Sequence, residues 1–140
     1  MTSTRASQAA SSILLQEERA PGVIMLTLNR PNQYNALSEE MLAALQSTAD
    51  SIATRDDVKV LILAANGKAF CAGHDLKEMR TKPERHYYEE LFARCSRMML
   101  TLTRMPQIVI ARVQGMATAA GCQLVANADL AVASADSHFG

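Results

Sequence analysis

The amino-acid sequence predicts an α/β fold built on a mostly parallel sheet. Three observations carry that expectation. Apolar runs of strand length, rich in β-branched residues, recur at positions 23–28, 58–65, 108–113 and 130–133. Stretches with apolar residues at helical spacing lie between them. Twice, at 58–79 and at 108–125, a strand passes through a loop of small residues into a helix start. Strands that alternate with helices pair in parallel through right-handed crossovers.

Residues 1–12 are rich in Ser, Ala and Thr, with Arg5 and no acidic residue. They lack the apolar core of a signal peptide, and a single arginine is thin support for a mitochondrial presequence. A disordered leader is expected there, and the folded domain over 13–140. Residues 13–18 and 23–28, joined by the turn Ala20-Pro-Gly22, read as an antiparallel hairpin. Arg30-Pro31-Asn32 ends the second strand. Ser38 is a good N-cap, with Glu39 and Glu40 in the first turn, for a helix that buries Met41, Leu42, Leu45, Ala49 and Ile52. Residues 58–65 read as a buried strand, and Asn66-Gly67 turns the chain.

Lys77 to Met79 form a short helical turn. Pro83 suits the start of a long helix in which Tyr88, Leu91, Phe92, Cys95, Met98, Met99 and Leu102 share one face. Pro106 ends it. After the buried strand 108–113, Gly115 breaks the run, and Thr118 is placed to cap a helix beginning near Ala119. Residues 130–133 make a last short strand at a sheet margin.

Apolar residues are 49% of the 140-residue chain and charged residues 20%, which is ordinary for a globular domain with a core. Lys plus Arg and Asp plus Glu each number 14, so the formal net charge is zero and nothing marks a nucleic-acid or anionic-membrane surface. No apolar stretch approaches the ~20 residues of a membrane span. The cysteines, Cys71, Cys95 and Cys122, are odd in number and set among apolar or small residues. That favours reduced thiols in an intracellular compartment. No Cys/His spacing predicts a metal site.

The two strand–loop–helix units point to chemistry. Unpaired N–H groups leave the start of a helix, and the helix dipole adds to them. Small residues let backbone approach a ligand closely. Two such loops side by side offer two backbone N–H donors to one developing oxyanion.

The segments Ala69-Phe-Cys-Ala-Gly-His-Asp-Leu-Lys77 and Val113-Gln-Gly-Met-Ala-Thr-Ala-Ala-Gly-Cys-Gln-Leu124 closely resemble the two signature segments of the enoyl-CoA hydratase/isomerase (crotonase) superfamily. Leu28-Asn-Arg-Pro-Asn-Gln-Tyr-Asn-Ala-Leu-Ser38 resembles that family's first strand and turn. The likeness runs from about Gly22 to the last residue. It implies a spiral of β-β-α units, of which this chain holds the N-terminal portion, the C-terminal part of the domain being missing. It implies an acyl-CoA or enoyl-CoA thioester as substrate, no separate cofactor, no metal, and no nucleic-acid or membrane partner. A homotrimer or dimer of trimers is implied at full length. The implied location is cytoplasmic, or the mitochondrial matrix in a eukaryote.

The resemblance places the family's oxyanion hole on the backbone N–H groups of His74 and Ala120. It places the CoA-binding groove at Ala72, His74, Asp75, Leu76, Lys77, Ala120 and Gly121. Asp75 reads equally as a local helix cap, and Lys77 as a solvated cation. Gln123 stands where hydratases of this family carry a glutamate. A carboxylate takes and returns a proton near neutral pH and an amide does not, so plain hydration is doubtful. Gln123 either orients a water or is a satisfied polar residue at a helix start. His74 has an imidazole where small residues are usual; it either acts as an acid or base or points away while its backbone works. Cys71 and Cys122 read as packing residues, and His86 and His138 have no evident partner. Two functions follow: an acyl-CoA enzyme that stabilises a thioester enolate, or a non-catalytic acyl-CoA-binding or assembly protein of the same fold.

Overall fold

The computed structural model describes residues 12–140. The leader expected over 1–12 lies outside the described residues except for Ser12. That residue is tied down: its hydroxyl donates to Leu14 O (2.6 Å) and its carbonyl accepts from Asn29 Nδ2 (3.0 Å).

The strands β1 (Leu14–Ala20) and β2 (Val23–Leu28) form the antiparallel hairpin, with Gly22 supplying the positive φ of its turn. β1 runs past its expected end because a register shift between Glu18 and Ala20 keeps it paired up to the turn. A short 3₁₀ turn at Pro31–Gln33 leads to helix α1 (Glu39–Ala53). Ser38 caps α1, its hydroxyl accepting from Met41 N (3.1 Å), and the expected five residues are buried on one face. Glu78 adds a cap that the sequence did not suggest, its carboxylate accepting from Glu39 N at 2.7 Å.

There follow β3 (Val60–Ala65), α2 (Leu76–Thr81), α3 (Arg85–Arg104), β4 (Ile108–Val113), β5 (Met116–Ala117), α4 (Ala120–Ala126), β6 (Leu130–Ala133) and β7 (His138–Phe139). β1-β2-β3-β4-β6 make one five-stranded sheet, parallel throughout except for β1. β5 and β7 pair separately, in parallel.

The strands are half-buried rather than buried on both faces. Ile24, Leu26, Leu61, Leu63, Val109 and Ala111 point into a core shared with Met41, Leu45 and Ile52 of α1 and Leu91, Met98 and Leu102 of α3. Their alternates Met25, Ile62 and Ile110 are only partly covered, and Leu130 and Val132 are 60% and 65% exposed. Side chains alternate across a strand, and the core that buries one set lies on one face of the sheet. The exposed Phe92 of α3 leaves the expected apolar face, for a reason given by the site below.

Two side-chain amides, one buried and one half-buried, fasten the strand ends. Asn35, fully buried and in the left-handed region (φ 53), donates through Nδ2 to Asn66 O (2.8 Å) and Ala69 O (2.9 Å). Its Oδ1 accepts from Arg30 N at 2.8 Å. Gln114 Nε2 donates to Ala65 O (2.7 Å) and Gly67 O (3.0 Å). These bonds hold the loops after β2, β3 and β4 together at one end of the sheet, the end at which ligands bind in open parallel sheets.

Candidate functional site

Three backbone segments are stitched side by side there. Phe70 N and Cys71 N both donate to Met116 O (2.9 and 3.1 Å), and Thr118 N donates to Cys71 O (3.0 Å), so the loops after β3 and β4 run as a miniature parallel pair. On the other side Leu37 N donates to Gly73 O (2.7 Å) and Asp75 N to Leu37 O (3.4 Å). In such a parallel bridge the N–H of His74 points away from the Leu37 segment. Among the described residues it has no acceptor, and neither has the N–H of Ala120 at the first position of α4.

Glycine permits this closeness. Gly73 turns with φ 91, and a Cβ on it would lie 3.1 Å from Ala119 Cβ and 3.3 Å from Ala120 N. A Cβ on Gly121 would lie 2.1 Å from Cys71 O. The start of α4 is therefore pressed against the backbone of the β3 loop. Ala119, just before it, is held at φ 51 and ψ −124. A side chain in that region costs of order 1–3 kcal/mol and persists only when its surroundings enforce it.

A cavity of about 680 Å³ opens at this junction. His74, Ala119, Ala120 and Gln123 form one side of it, and Phe92, Met99 and Leu100 of α3 the other. Phe92 is exposed because it lines this space. The His74 ring packs edge-on against it, 5.1 Å between centroids at 65°. Burial lowers the His74 pKa from its ordinary 6.5.

The expected site residues come together in part. His74, Ala120 and Gln123 line one cavity, and Gly121 is the buried contact beneath it. Ala72 lies in the same loop, its N–H donating to Tyr34 O (3.0 Å) and its carbonyl accepting from Thr118 Oγ1 (3.3 Å). Asp75 does the work of a cap: its Oδ1 accepts from Glu78 N (3.1 Å) at the start of α2, and its Oδ2 sits 3.6 Å from Arg30 Nη1. Leu76 is 61% exposed, and Lys77 is exposed with no ion pair among the described residues.

Several expectations need correction. Thr118 does not cap α4; its hydroxyl is turned to the Ala72 carbonyl, and α4 begins at Ala120 behind Ala119 with no side-chain cap. The His74 side chain does not point away but forms cavity wall with Phe92. Gln123 lies on α4 and is exposed to the cavity; its amide makes no hydrogen bond to protein among the described residues. Cys122 is half-buried rather than core. His86 does have a partner, Glu90 Oε1 at 3.3 Å along α3. Cys71 is buried as expected, and its thiol is pushed from 9.0 up to about 11, chiefly by burial. Among the described residues no three His, Cys, Asp or Glu side chains cluster as a metal site. Nor is any helix there long and apolar enough to cross a membrane.

Comparison with known proteins supports the expected fold. The family profile for enoyl-CoA hydratase/isomerase matches residues 18–140. The human mitochondrial enoyl-CoA hydratase domain-containing protein 3 is 47% identical over 118 residues, which is 84% of this chain and 39% of that protein. Its crystal structure superposes with a TM-score of 0.87 at 43% identity, over 92% of this chain and 51% of that one. A crystal structure of an enoyl-CoA hydratase from Mycobacterium smegmatis gives 0.91 at 60% identity, over 92% and 50%. The chain thus spans about half the length of the relatives it matches. The architecture is the N-terminal portion of the crotonase fold, and the chain belongs to the enoyl-CoA hydratase/isomerase family.

Proposed function

We propose that this protein binds an acyl-CoA or enoyl-CoA thioester and stabilises the enolate-like oxygen that develops on it. The observation that carries this reading is the pair of unspent N–H groups, on His74 and Ala120, where two stitched loops meet one cavity. Both donors are backbone and are locked before any ligand arrives, so they cost no reorganisation during reaction; one such donor is worth ~3–4 kcal/mol to a transition state. Apolar Phe92, Met99 and Leu100 suit an acyl chain. Ala72, Leu76 and Lys77, at the outer edge of the β3 loop, are assigned to the CoA portion. No cofactor beyond the thioester enters this reading. The trimeric assembly implied by the resemblance remains part of it, and sedimentation velocity tests it.

Gln123 sets the reaction class apart from plain hydration. A positioned acid/base is worth typically ~10²–10⁴-fold, and an amide does not supply it. The wall of the cavity carries no carboxylate among the described residues. The amide of Gln123 on that wall supports, as the second reading, an acyl-CoA-binding protein without catalysis. Calorimetric titration with an acyl-CoA, the free acid and free CoA tests the first claim. The thioester should bind tightest, and equal affinities would sink the assignment of the two donors. Crotonyl-CoA loss in the wild type and in Gln123→Glu tests the second. Slow hydration that rises in the variant supports an enzyme lacking its acid. Fast hydration in the wild type, unmoved by the change, would mean that another group does the proton transfer.

A further inference from the structure

The His74 side chain lines this cavity and has no assigned task. Its two ring nitrogens are in different surroundings. Nδ1 is buried and has no hydrogen-bond partner. Nε2 also makes no hydrogen bond to the described protein, yet it is not among the buried unpartnered atoms. It is therefore the nitrogen reached from the cavity. The ring plane is fixed by the edge-on contact with Phe92.

This arrangement selects a tautomer. A buried N–H without an acceptor is rarer and more costly than a buried lone pair without a donor. The proton of the neutral ring therefore sits on Nε2 and faces the cavity. Making the imidazolium would put a second N–H on Nδ1, where nothing accepts it. Among the described residues no charge offsets that cost. Across the cavity α3 presents Cys95, a thiol whose pKa burial raises, while α4 presents the neutral amides of Gln123 and Asn127. Asp75, next in the chain, is engaged with Glu78 N and lies beside Arg30. Burial is the one cause acting on the ring, and it favours the neutral form.

We propose that His74 is a specificity-determining residue, a fixed neutral Nε2–H donor that selects acyl thioesters bearing an oxygen acceptor on the acyl chain, of the 3-oxoacyl class, over plain hydrocarbon chains. This rests on the thioester reading above and deepens it. The thioester oxygen is assigned to the two backbone donors. A second oxygen further along the chain meets the imidazole N–H, with the Gln123 amide on the same wall. A neutral N–H suits a carbonyl, and no proton is transferred.

Two measurements test this. The first needs no ligand: a long-range ¹H–¹⁵N spectrum of the histidine-labelled chain at pH 7. The expected pattern is protonated Nε2 and bare Nδ1 on His74. Nδ1–H, or an imidazolium, overturns the proposal. The second is titration of wild type, His74→Ala and His74→Asn with the CoA thioesters of 3-oxobutanoate and butanoate. His74→Ala keeps the backbone donor and removes only the imidazole. The affinity ratio in favour of the 3-oxo thioester should fall about tenfold in His74→Ala, the size of one hydrogen bond. It should recover in part in His74→Asn, which restores a neutral N–H. An unchanged ratio overturns the donor role while leaving the thioester reading standing. Failure of both thioesters to bind wild type above free CoA overturns the thioester reading, and this proposal with it.

Discussion

Replacing Gly121 by alanine sets two effects of opposite sign against each other. Gly121 lies inside α4, where alanine is favoured over glycine by about 1 kcal/mol on helix propensity alone. The added Cβ, however, would stand 2.1 Å from Cys71 O, 2.7 Å from Cys71 C and 2.9 Å from Cys71 Cβ. All are closer than real Cβ contacts come, and two of the three are backbone, which has no rotamer by which to yield. Either α4 or the β3 loop has to shift by roughly an ångström. Overpacking of this kind costs typically ~1–3 kcal/mol. The same shift strains the Thr118 N to Cys71 O bond (3.0 Å) and the two bonds donated to Met116 O, each worth about 1 kcal/mol. The sum outweighs propensity, and Gly121→Ala should lose about 2–4 kcal/mol. Urea denaturation followed by far-ultraviolet circular dichroism reads this as a lower midpoint with an unchanged slope. A variant as stable as wild type, or more stable, would refute the claim that the helix start is pressed onto the Cys71 backbone.

Asn35→Ala should cost about 3 kcal/mol, because the carbonyls of Asn66 and Ala69 and the N–H of Arg30 each lose a partner; an unshifted urea midpoint would contradict this. Ala119→Gly should raise stability by about 1 kcal/mol, since the relief of a strained conformation (φ 51, ψ −124) exceeds the extra flexibility of unfolded glycine; a loss in the melt would contradict the strain. The pKa of Cys71 is raised on folding, from 9.0 to about 11. Its contribution is therefore fully present below pH 9 and declines as pH rises from 9 to 11, at up to about 1.4 kcal/mol per pH unit. Cys71→Ala should flatten that part of the stability–pH profile; Cys95 and Tyr87, which are shifted in the same direction, contribute to the slope that remains. Brief alkylation of the native protein should label half-buried Cys122 ahead of Cys71 and Cys95, which mass spectrometry of the digest checks.

Much of this fold was legible because its signals are local. Ser38 with Glu39 and Glu40 marks the start of α1, and the apolar spacing from Leu91 to Leu102 marks the buried face of α3. Alternation of strands and helices sufficed for the parallel order. The errors came where a residue's partner is distant in sequence. Thr118 has the chemistry of a cap, but the Ala72 carbonyl, 46 residues upstream, takes its hydroxyl. Phe92 falls on the apolar periodicity of α3 yet lines a cavity whose other wall belongs to α4 and the β3 loop. The direction of the His74 ring depends on that same Phe92, which no local motif around residue 74 encodes. Asn35 and Glu78 fasten partners 31 to 39 residues away, beyond the reach of any local pattern. The positive φ of Asn35 was faintly signalled by asparagine's tolerance of that region, while the reach of Glu78 to Glu39 N had no signal.

The division of labour at this junction bears on how such a site diverges. The candidate donors are main-chain atoms, so the side chains at 74 and 123 can change chemistry without removing those N–H groups. Glycines 73, 115 and 121 have no such freedom: a Cβ at Gly115 would fall 1.8 Å from Lys68 O, and Gly73 sits at φ 91 against Ala119. Tolerance to replacement is therefore uneven within each of the two loops. Innovation is channelled into the cavity-facing side chains, and the scaffold positions between them are closed to it. An imidazole at position 74 and an amide at position 123 are two side chains that this backbone geometry accommodates.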